Sequence, residues 1–256
     1  MWNTLILQPM LNILVGIYSL VGSFAIAIIL FTLLIRLVTH PLTVSQMKGT
    51  QQMTDLQKSK EWLDIQKKYK DDKQKQQTEQ ARLMQEKGIN PAGSCLPLLI
   101  QMPIIFGLYQ AVNAALASSP VQLLNLSKLL YPFIDGAGLI PLRSQFLWMD
   151  LSQPEKLMVF GFGIPVLAIF VGITQYMLGK VMVMPSATGD PNDQAAQMGK
   201  MMNLYMPFMM AWITYSVPAG LALYFVATNV FTFIQYALMG KADLRKLIPG
   251  LKPKAS

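Results

Sequence analysis

The stretch FTLLIRLVTHPLT, residues 31–43, places one arginine near the end of a long apolar run. No charged residue precedes Arg36, so residues 1–35 form an uncharged segment. A helix needs about 20 consecutive apolar residues to cross the hydrocarbon core of a bilayer. The stretch therefore predicts a membrane-spanning helix that carries a cation inside or close to the lipid.

The rest of the chain repeats this apolar pattern. Of 256 residues, 53% are apolar and only 13% are charged, which is far from the average of soluble domains. Further uncharged segments cover 88–127, 157–179 and 201–240. The motif SVPAGL, residues 216–221, divides the last of these, because Pro and Gly turn the chain. We predict an all-α integral membrane protein with five or six spans.

The boundaries follow from the interruptions in each uncharged segment. The first segment is longer than one helix and contains Pro9, Gly16 and Gly22, so we expect a short interfacial helix before the first span. The predicted segments are an interfacial amphipathic helix at 1–22, a first span at 23–40, a cytoplasmic helical hairpin at 41–90, a second span at 91–117, an extracytoplasmic surface segment at 118–156, a third span at 157–179, a cytoplasmic loop at 180–200, a fourth span at 201–216, a fifth span at 219–239 and a basic cytoplasmic tail at 240–256.

The distribution of Lys and Arg predicts the orientation. Positively charged loops stay on the cytoplasmic side of a membrane. Five spans place 18 of the 21 Lys and Arg residues on one side, whereas six spans put loops of both kinds on the wrong sides. We therefore expect five spans, with the N-terminus outside and the C-terminus in the cytoplasm.

Composition also excludes several classes of site. The net charge of +8 lies mostly in loops beside the membrane, where orientation already explains it, so nucleic acid binding is disfavoured except for ribosomal RNA. One Cys, Cys95, and one His, His40, cannot build a metal cluster. No motif of an intramembrane serine protease is present. We expect no cofactor, no metal and no enzymatic activity.

The segment between the first two spans is rich in Gln, Lys and Glu and has no Pro between Pro41 and Pro91, which favours helix in water. Asp71 and Asp72 mark the turn of a helical hairpin, and Asp71 with Gln74 resembles a capping box for the second arm. Its apolar positions are sparse, so we expect loosely packed arms. Two interpretations stay open: a solvated loop, or a device that meets a partner.

Arg36 itself allows two interpretations. It lies five residues before Pro41, close enough to the interface for its side chain to snorkel. However, Thr32 and Thr39 lie one turn away on either side, and the other spans also carry polar stripes. Polar groups avoid lipid, so we expect these stripes to meet in a hydrated space, although interhelical hydrogen bonds without a cavity are the alternative. The candidate residues are Thr32, Arg36, Gln101, Thr174, Gln175, Asn203, Thr228 and Thr232.

Several motifs have a familiar form. The segment GINPAGSCLPLLIQMPIIFGLYQAV, which starts at Gly88, resembles the second core span of the YidC/Oxa family of membrane protein insertases. LLIRLVTHPLT, YKDD, FLWMDLS and SVPAGLALYFVATNVFTFIQ are similar to the first core span, the hairpin turn, the segment before the third span and the last span. The resemblance covers about residues 20–240.

The resemblance implies a bacterial inner membrane protein with five helices around a hydrophilic groove that is closed toward the outside. Arg36, Thr32, Gln175 and Phe225 match groove positions of the family, where Trp or Tyr often replaces Phe225. Nascent membrane proteins and the lipid bilayer are the implied partners, without a small-molecule substrate. The resemblance leaves open whether the Sec translocon or the ribosome takes part.

A small transporter or channel, with Arg36 as an anion-binding site, is the alternative function. An odd number of spans and no visible inverted repeat count against it.

Overall fold

The computed structural model describes residues 1–70, 72–89, 96–116, 119–132, 134, 142–159, 162–182 and 194–239. Helices dominate this part of the chain, as predicted. A π-helical turn at Asn3–Leu7 leads into the helices, which are α1 Gln8–Val21, α2 Phe24–Gln57, α3 Lys60–Lys68, α4 Lys73–Glu86, α5 Leu96–Ala115, α6 Pro120–Leu129, α7 Val166–Met182, α8 Gln194–Ser216 and α9 Ala219–Leu238. The strands form two small antiparallel hairpins, β1 Gln145–Phe146 with β2 Met149–Asp150 and β3 Leu157–Val159 with β4 Phe162–Ile164.

Three helical segments of the described chain are long and apolar enough to cross a membrane: Asn3–Val21, Phe24–Gln57 and Ala219–Leu238. Leu99–Ala115 and Val166–Lys180 are shorter apolar helices. The first of the long segments is the one predicted to lie at the interface, so its length and composition also allow a crossing.

Contacts of this first segment show how it meets α5. Trp2 Nε1 donates a hydrogen bond to Gln110 at 2.8 Å, while Ile6 and Met10 lie against Gly107. The π-helical turn and the start of α1 therefore both pack against α5. The assignment of this segment as an interfacial helix stays a prediction. Gly22, with φ of +68°, ends α1 in the left-handed conformation.

Spans that follow one another along the chain alternate in direction, so that α2, α7 and α9 run one way and α8 runs the other. Ile28 of α2 lies beside Gly220, and further along both helices His40 contacts Gln235, so α2 and α9 run in the same direction. α7 also runs with α9, because one segment of chain caps the first turns of both helices. α8 joins α9 through a short turn at 217–218 and runs opposite to it. This alternation is the geometry that five crossings require.

Small residues let the helices approach closely at the first turn of α9. Gly220 lies where an added Cβ would be 3.0 Å from Val112 and 3.3 Å from Ile28. Ala219 and Ala222 beside it are buried. Lipid is as apolar as the side chains, so close packing of small residues, more than the hydrophobic effect, holds spanning helices together.

Two predicted boundaries in the first half of the chain differ from the structure. The first span was predicted to end at 40, but α2 continues without a break through Pro41 to Gln57. Pro41 cannot donate a hydrogen bond to the Leu37 carbonyl one turn earlier, but spanning helices tolerate such a loss. The Thr39 and Thr43 hydroxyls on either side of it donate to the carbonyls of Ile35 and Thr39. The first arm of the hairpin is therefore an extension of the span.

The hairpin arms are tied together more firmly than their sparse apolar pattern predicts. Trp62 packs with Leu56 and Leu83 in a small buried cluster, and Lys87 pairs with Glu61 at 2.8 Å. Trp62 was missing from the predicted apolar positions.

The second arm begins one residue later than expected. Asp72, not Asp71, caps α4, by accepting a hydrogen bond from the Lys75 N–H at 3.1 Å. Asp71 lies outside the described residues.

The third and fourth predicted spans also start at different residues. The third was predicted to begin at 157, but strands β3 Leu157–Val159 and β4 Phe162–Ile164 lie there and the helix begins at Val166. Gly161, Gly163 and Pro165 in this stretch disfavour helix. α8 begins at Gln194, before the predicted 201. Residues 183–193 of the predicted loop, and the predicted tail from 240, lie outside the described residues.

Candidate functional site

Arg36 lies half-buried on α2, within the bundle. The described residues form ion pairs in the hairpin, and no carboxylate among them pairs with the Arg36 guanidinium. One turn earlier, Thr32 is buried and its hydroxyl donates to the Ile28 carbonyl at 2.7 Å. Arg36 is thus a cation held between helices without a counter-charge in the described chain.

Two tyrosines of α9 lie near this cation, and one of them binds a polar side chain of α5. Gln101 Nε2 donates to the Tyr224 hydroxyl at 2.5 Å, which joins the two helices. Tyr224 is only 2% exposed. The phenols of Tyr224 and Tyr236 are the tyrosines close enough to interact electrostatically with the guanidinium. The neighbours of Arg36 are therefore neutral hydroxyls and an amide.

Two threonines of α9 extend the polar face. Thr228 lies one turn after Tyr224, and its hydroxyl is buried without a geometrically adequate hydrogen bond to a described residue, although it lies beside the Tyr224 phenol. The Thr232 hydroxyl donates to the Thr228 carbonyl at 2.6 Å. A buried hydroxyl normally finds a partner in protein or water. The site is therefore polar enough to hold water.

The seam between α7 and α9 carries a separate polar contact. Asn229 Nδ2 donates to the Thr174 hydroxyl at 2.9 Å. Gln175, next to Thr174, is half-buried and forms no hydrogen bond with the described residues. Phe225 is buried in the core, with its ring centroid 5.7 Å from that of Tyr224.

A further contact joins α2 and α9 one turn beyond Arg36. The Gln235 amide bonds to His40 Nδ1 at 2.5 Å. His40, expected to be an interfacial residue, is exposed, whereas Gln235 is buried.

The structure thus brings together only some of the candidate residues. Arg36, Gln101 and Thr228 lie around Tyr224. Thr32 lies one turn before Arg36 on α2, while Gln175 on α7 and Thr232 on α9 form no hydrogen bond with Arg36. The side chain of Asn203 lies outside the described residues. Phe225 packs against apolar neighbours instead of forming a polar contact.

Sequence reasoning missed Tyr224, Tyr236 and Asn229. The spacing of Tyr224 and Thr228, four residues apart, was a usable signal, because such residues share a helix face. Nothing in the local sequence distinguishes Tyr236 from a tyrosine at the membrane surface.

Comparisons with known proteins agree with this architecture. The model of the 60Kd inner membrane protein family matches residues 16–246. Membrane protein insertase YidC of Fusobacterium nucleatum subsp. nucleatum is 35% identical over 222 residues, which cover 86% of this chain and 88% of that protein. The protein of the same name in Oceanobacillus iheyensis is 30% identical over 250 residues, covering 96% and 86%.

Longer relatives match as well. YidC of Prosthecochloris aestuarii is 32% identical over 91% of this chain, but the chain spans only 36% of that protein's length. A crystal structure of an active YidC insertase with its first transmembrane domain resolved aligns with a TM-score of 0.53 and 26% identity, over 87% of this chain and 42% of that one. The family predicted from the motifs is confirmed: this chain belongs to the 60Kd inner membrane protein family, which includes the YidC insertases.

Proposed function

We propose that the protein is a membrane protein insertase that receives short acidic tails of nascent membrane proteins at Arg36 and releases their apolar spans into lipid. The observation that carries the proposal is the uncompensated guanidinium, which lies among neutral polar groups within a bundle of spanning helices. An arginine at the centre of a membrane costs about 2.5–3.5 kcal/mol on insertion scales. A cation kept at that cost, without a carboxylate partner, fits a function in binding a transient anion.

Electrostatics gives the expected strength of that binding. A carboxylate 4 Å from the guanidinium, at an effective dielectric constant near 20, gains about 4 kcal/mol. The phenols and the amide around Arg36 are neutral, so they compete only weakly with an incoming Asp or Glu. A permanent, fully satisfied ion pair would hold the substrate. A half-buried, water-accessible cation permits both capture and release.

The apolar part of a substrate needs a separate path into lipid. Ile169 and Ile173 on α7, and Val230 and Ile234 on α9, are exposed large apolar residues on two helices that lie side by side. Their spacing of four residues places each pair on one face of its helix. This apolar flank beside the polar interior would let a substrate span slide outward while its tail is held at Arg36.

The hairpin of α3 and α4 would recruit substrate or partners on the cytoplasmic side. Its basic surface and its direct continuation from α2 support this role. The Sec translocon and the ribosome are both compatible with it. The proposed orientation places the N-terminus outside and the C-terminus in the cytoplasm, and the distribution of Lys and Arg supports it.

Reconstitution tests the proposal against the transporter alternative. Purified protein in liposomes should insert a single-span substrate with an acidic N-terminal tail, scored by protection of the tail from added protease. Liposomes without the protein give the background. The same liposomes, loaded with chloride and other small anions, should show no protein-dependent efflux. Anion efflux without insertion would contradict an insertase and identify Arg36 as a transport site.

A further inference from the structure

A short strap of chain, residues 144–155, closes over one end of the bundle. It contains the β1–β2 hairpin and folds back so that the Ser144 carbonyl accepts from the Leu151 N–H at 2.9 Å. Leu151 is fully buried, and its carbonyl oxygen lies 3.2 Å from where a Cβ of Gly220 would be. The strap therefore packs directly on the first turn of α9.

Backbone carbonyls of the strap satisfy that first turn. The Ala219 N–H donates to the Gln153 carbonyl at 2.7 Å, and the Gly220 N–H donates to the Leu151 carbonyl at 3.0 Å. The first N–H groups of a helix have no partner within the helix. In a membrane protein such groups need protein partners wherever water is excluded.

Glu155, at the end of the strap, does the same for α7. One carboxylate oxygen accepts from the Leu167 N–H, in the first turn of α7, at 3.1 Å, and the other accepts from Trp148 Nε1 at 2.8 Å. The residue is only 6% exposed and no Lys or Arg of the described chain forms an ion pair with it. A buried carboxylate without a cation is costly, unless hydrogen bonds and the positive end of a helix dipole stabilise it.

The β1–β2 turn keeps an unusual conformation that presents Trp148 to Glu155. Leu147 has φ of +55°, in the left-handed region that residues other than glycine rarely adopt. The surrounding contacts must compensate for this conformation. The hydrogen bond from Trp148 to Glu155 is the side-chain contact that links the β1–β2 turn to the end of the strap.

We propose that Glu155 is a positioning residue that fastens the strap to α7 and so keeps this end of the bundle closed to water. The strap holds the starts of both α7 and α9. Among the described residues, Glu155 makes the only side-chain hydrogen bond from the strap to α7. A carboxylate suits the position because it offers two acceptors to two donors. A glutamine offers one acceptor, and its NH₂ would face a donor. The proposal does not rest on the insertion activity.

Chemical labelling of a cysteine under the strap tests this proposal. Cys95 is the only cysteine, so a Cys95→Ser background with Ala219→Cys carries one thiol at a position that is 0% exposed. With Glu155 present, a membrane-impermeant maleimide applied from the strap side should leave this thiol unlabelled. Glu155→Gln should lose part of that protection from labelling, and Glu155→Ala should lose all of it.

Two further variants keep the experiment interpretable. Asp150→Asn removes a carboxylate whose contacts lie within the strap, with Ser152 N and Oγ at 2.9 and 2.8 Å, and should stay protected. Trp148→Phe removes one of the two donors to Glu155 and should give intermediate labelling even if Glu155→Ala fails to fold. The apparent Tm in detergent identifies unfolded variants. Full protection in folded Glu155→Gln and Trp148→Phe proteins would overturn the proposal.

Discussion

At the scale of single residues, the interior of this protein combines closely packed small residues with a cation that has no carboxylate partner in the described chain. Gly220 lets α9 pack closely against α2, α5 and the strap. Tyr224, one turn later on α9, and Arg36 on α2 are polar. Packing fixes the helices so that the cation stays in a defined place.

Gly220→Ala should destabilise the protein. The new Cβ would lie 3.0 Å from Val112, 3.2 Å from the Leu151 carbonyl oxygen and 3.3 Å from Ile28, so backbone as well as side chains must move. Such overpacking typically costs about 1–3 kcal/mol. Gly16→Ala is the matched control: nothing lies within 4 Å of its Cβ, and a helical alanine gains about 0.5–1 kcal/mol.

Thermal unfolding in one detergent should therefore lower the apparent Tm of Gly220→Ala and raise or preserve that of Gly16→Ala. A Gly220→Ala protein as stable as the wild type would show that the helices pack less tightly around the start of α9 than described.

At the scale of elements, α2 connects the membrane interior with the hairpin. It runs from Phe24 to Gln57 without interruption, so Arg36 and the chain that leads into the hairpin belong to one helix, and α3 follows after a break at 58–59. The helix continues through Pro41, which is read as a boundary in soluble helices but is accommodated in spanning ones, and the predicted end of the span at 40 stays a prediction. The hairpin turn was predicted to within one residue, because Asp is a strong helix cap wherever it occurs.

The start of α4 should depend on the charge of Asp72. The Lys75 N–H, together with the Lys75 ammonium at 3.3 Å, lowers the pKa of the Asp72 carboxyl from its ordinary value of 3.8. A lowered pKa in the folded state means that the stabilisation is complete above about pH 4 and is lost as the pH falls through the folded-state value.

The protection factor of the Lys75 amide, corrected for the intrinsic exchange rate, should therefore fall in this acidic range. In Asp72→Asn it should stay constant with pH, because Asn caps a helix without titrating. Glu79→Gln, which removes a carboxylate from the same helix away from its cap, should behave like the wild type. An unchanged profile in Asp72→Asn would contradict the assignment of this cap.

At the scale of the whole molecule, composition was sufficient to predict an all-α membrane protein, and the motifs were sufficient to predict its family. Uncharged segments predicted the spans, since the hydrocarbon core of a bilayer accepts few structures other than helices with apolar side chains. The site was less predictable. Polar residues within a span are costly and therefore usually functional. This rule selected Arg36, Thr32, Gln101 and Thr228. Tyr224 was missed because tyrosine suits both lipid surfaces and interiors.

The strap could not be predicted from sequence at all. Its function depends on hydrogen bonds from Glu155 and from backbone carbonyls to two helices that are distant along the chain. No local periodicity reports such contacts. The same limit applies to the neutral surroundings of Arg36, which depend on how three helices meet.

The central claim is that the Arg36 charge receives an acidic tail, and insertion into liposomes tests it most directly. Four proteins should be compared: wild type, Arg36→Ala, Arg36→Lys and Lys48→Ala, which removes an exposed cation from the same helix. Each is given two substrates that differ only by Glu or Gln in the tail. Losing a third of the estimated attraction of about 4 kcal/mol corresponds to about a tenfold fall.

We expect Arg36→Ala to insert the Glu-tailed substrate about tenfold less well than the wild type. Arg36→Lys and Lys48→Ala should insert it normally, and all four proteins should treat the Gln-tailed substrate alike. If folded Arg36→Ala inserts the Glu-tailed substrate as efficiently as the wild type, the arginine is only an interfacial anchor and the account is contradicted.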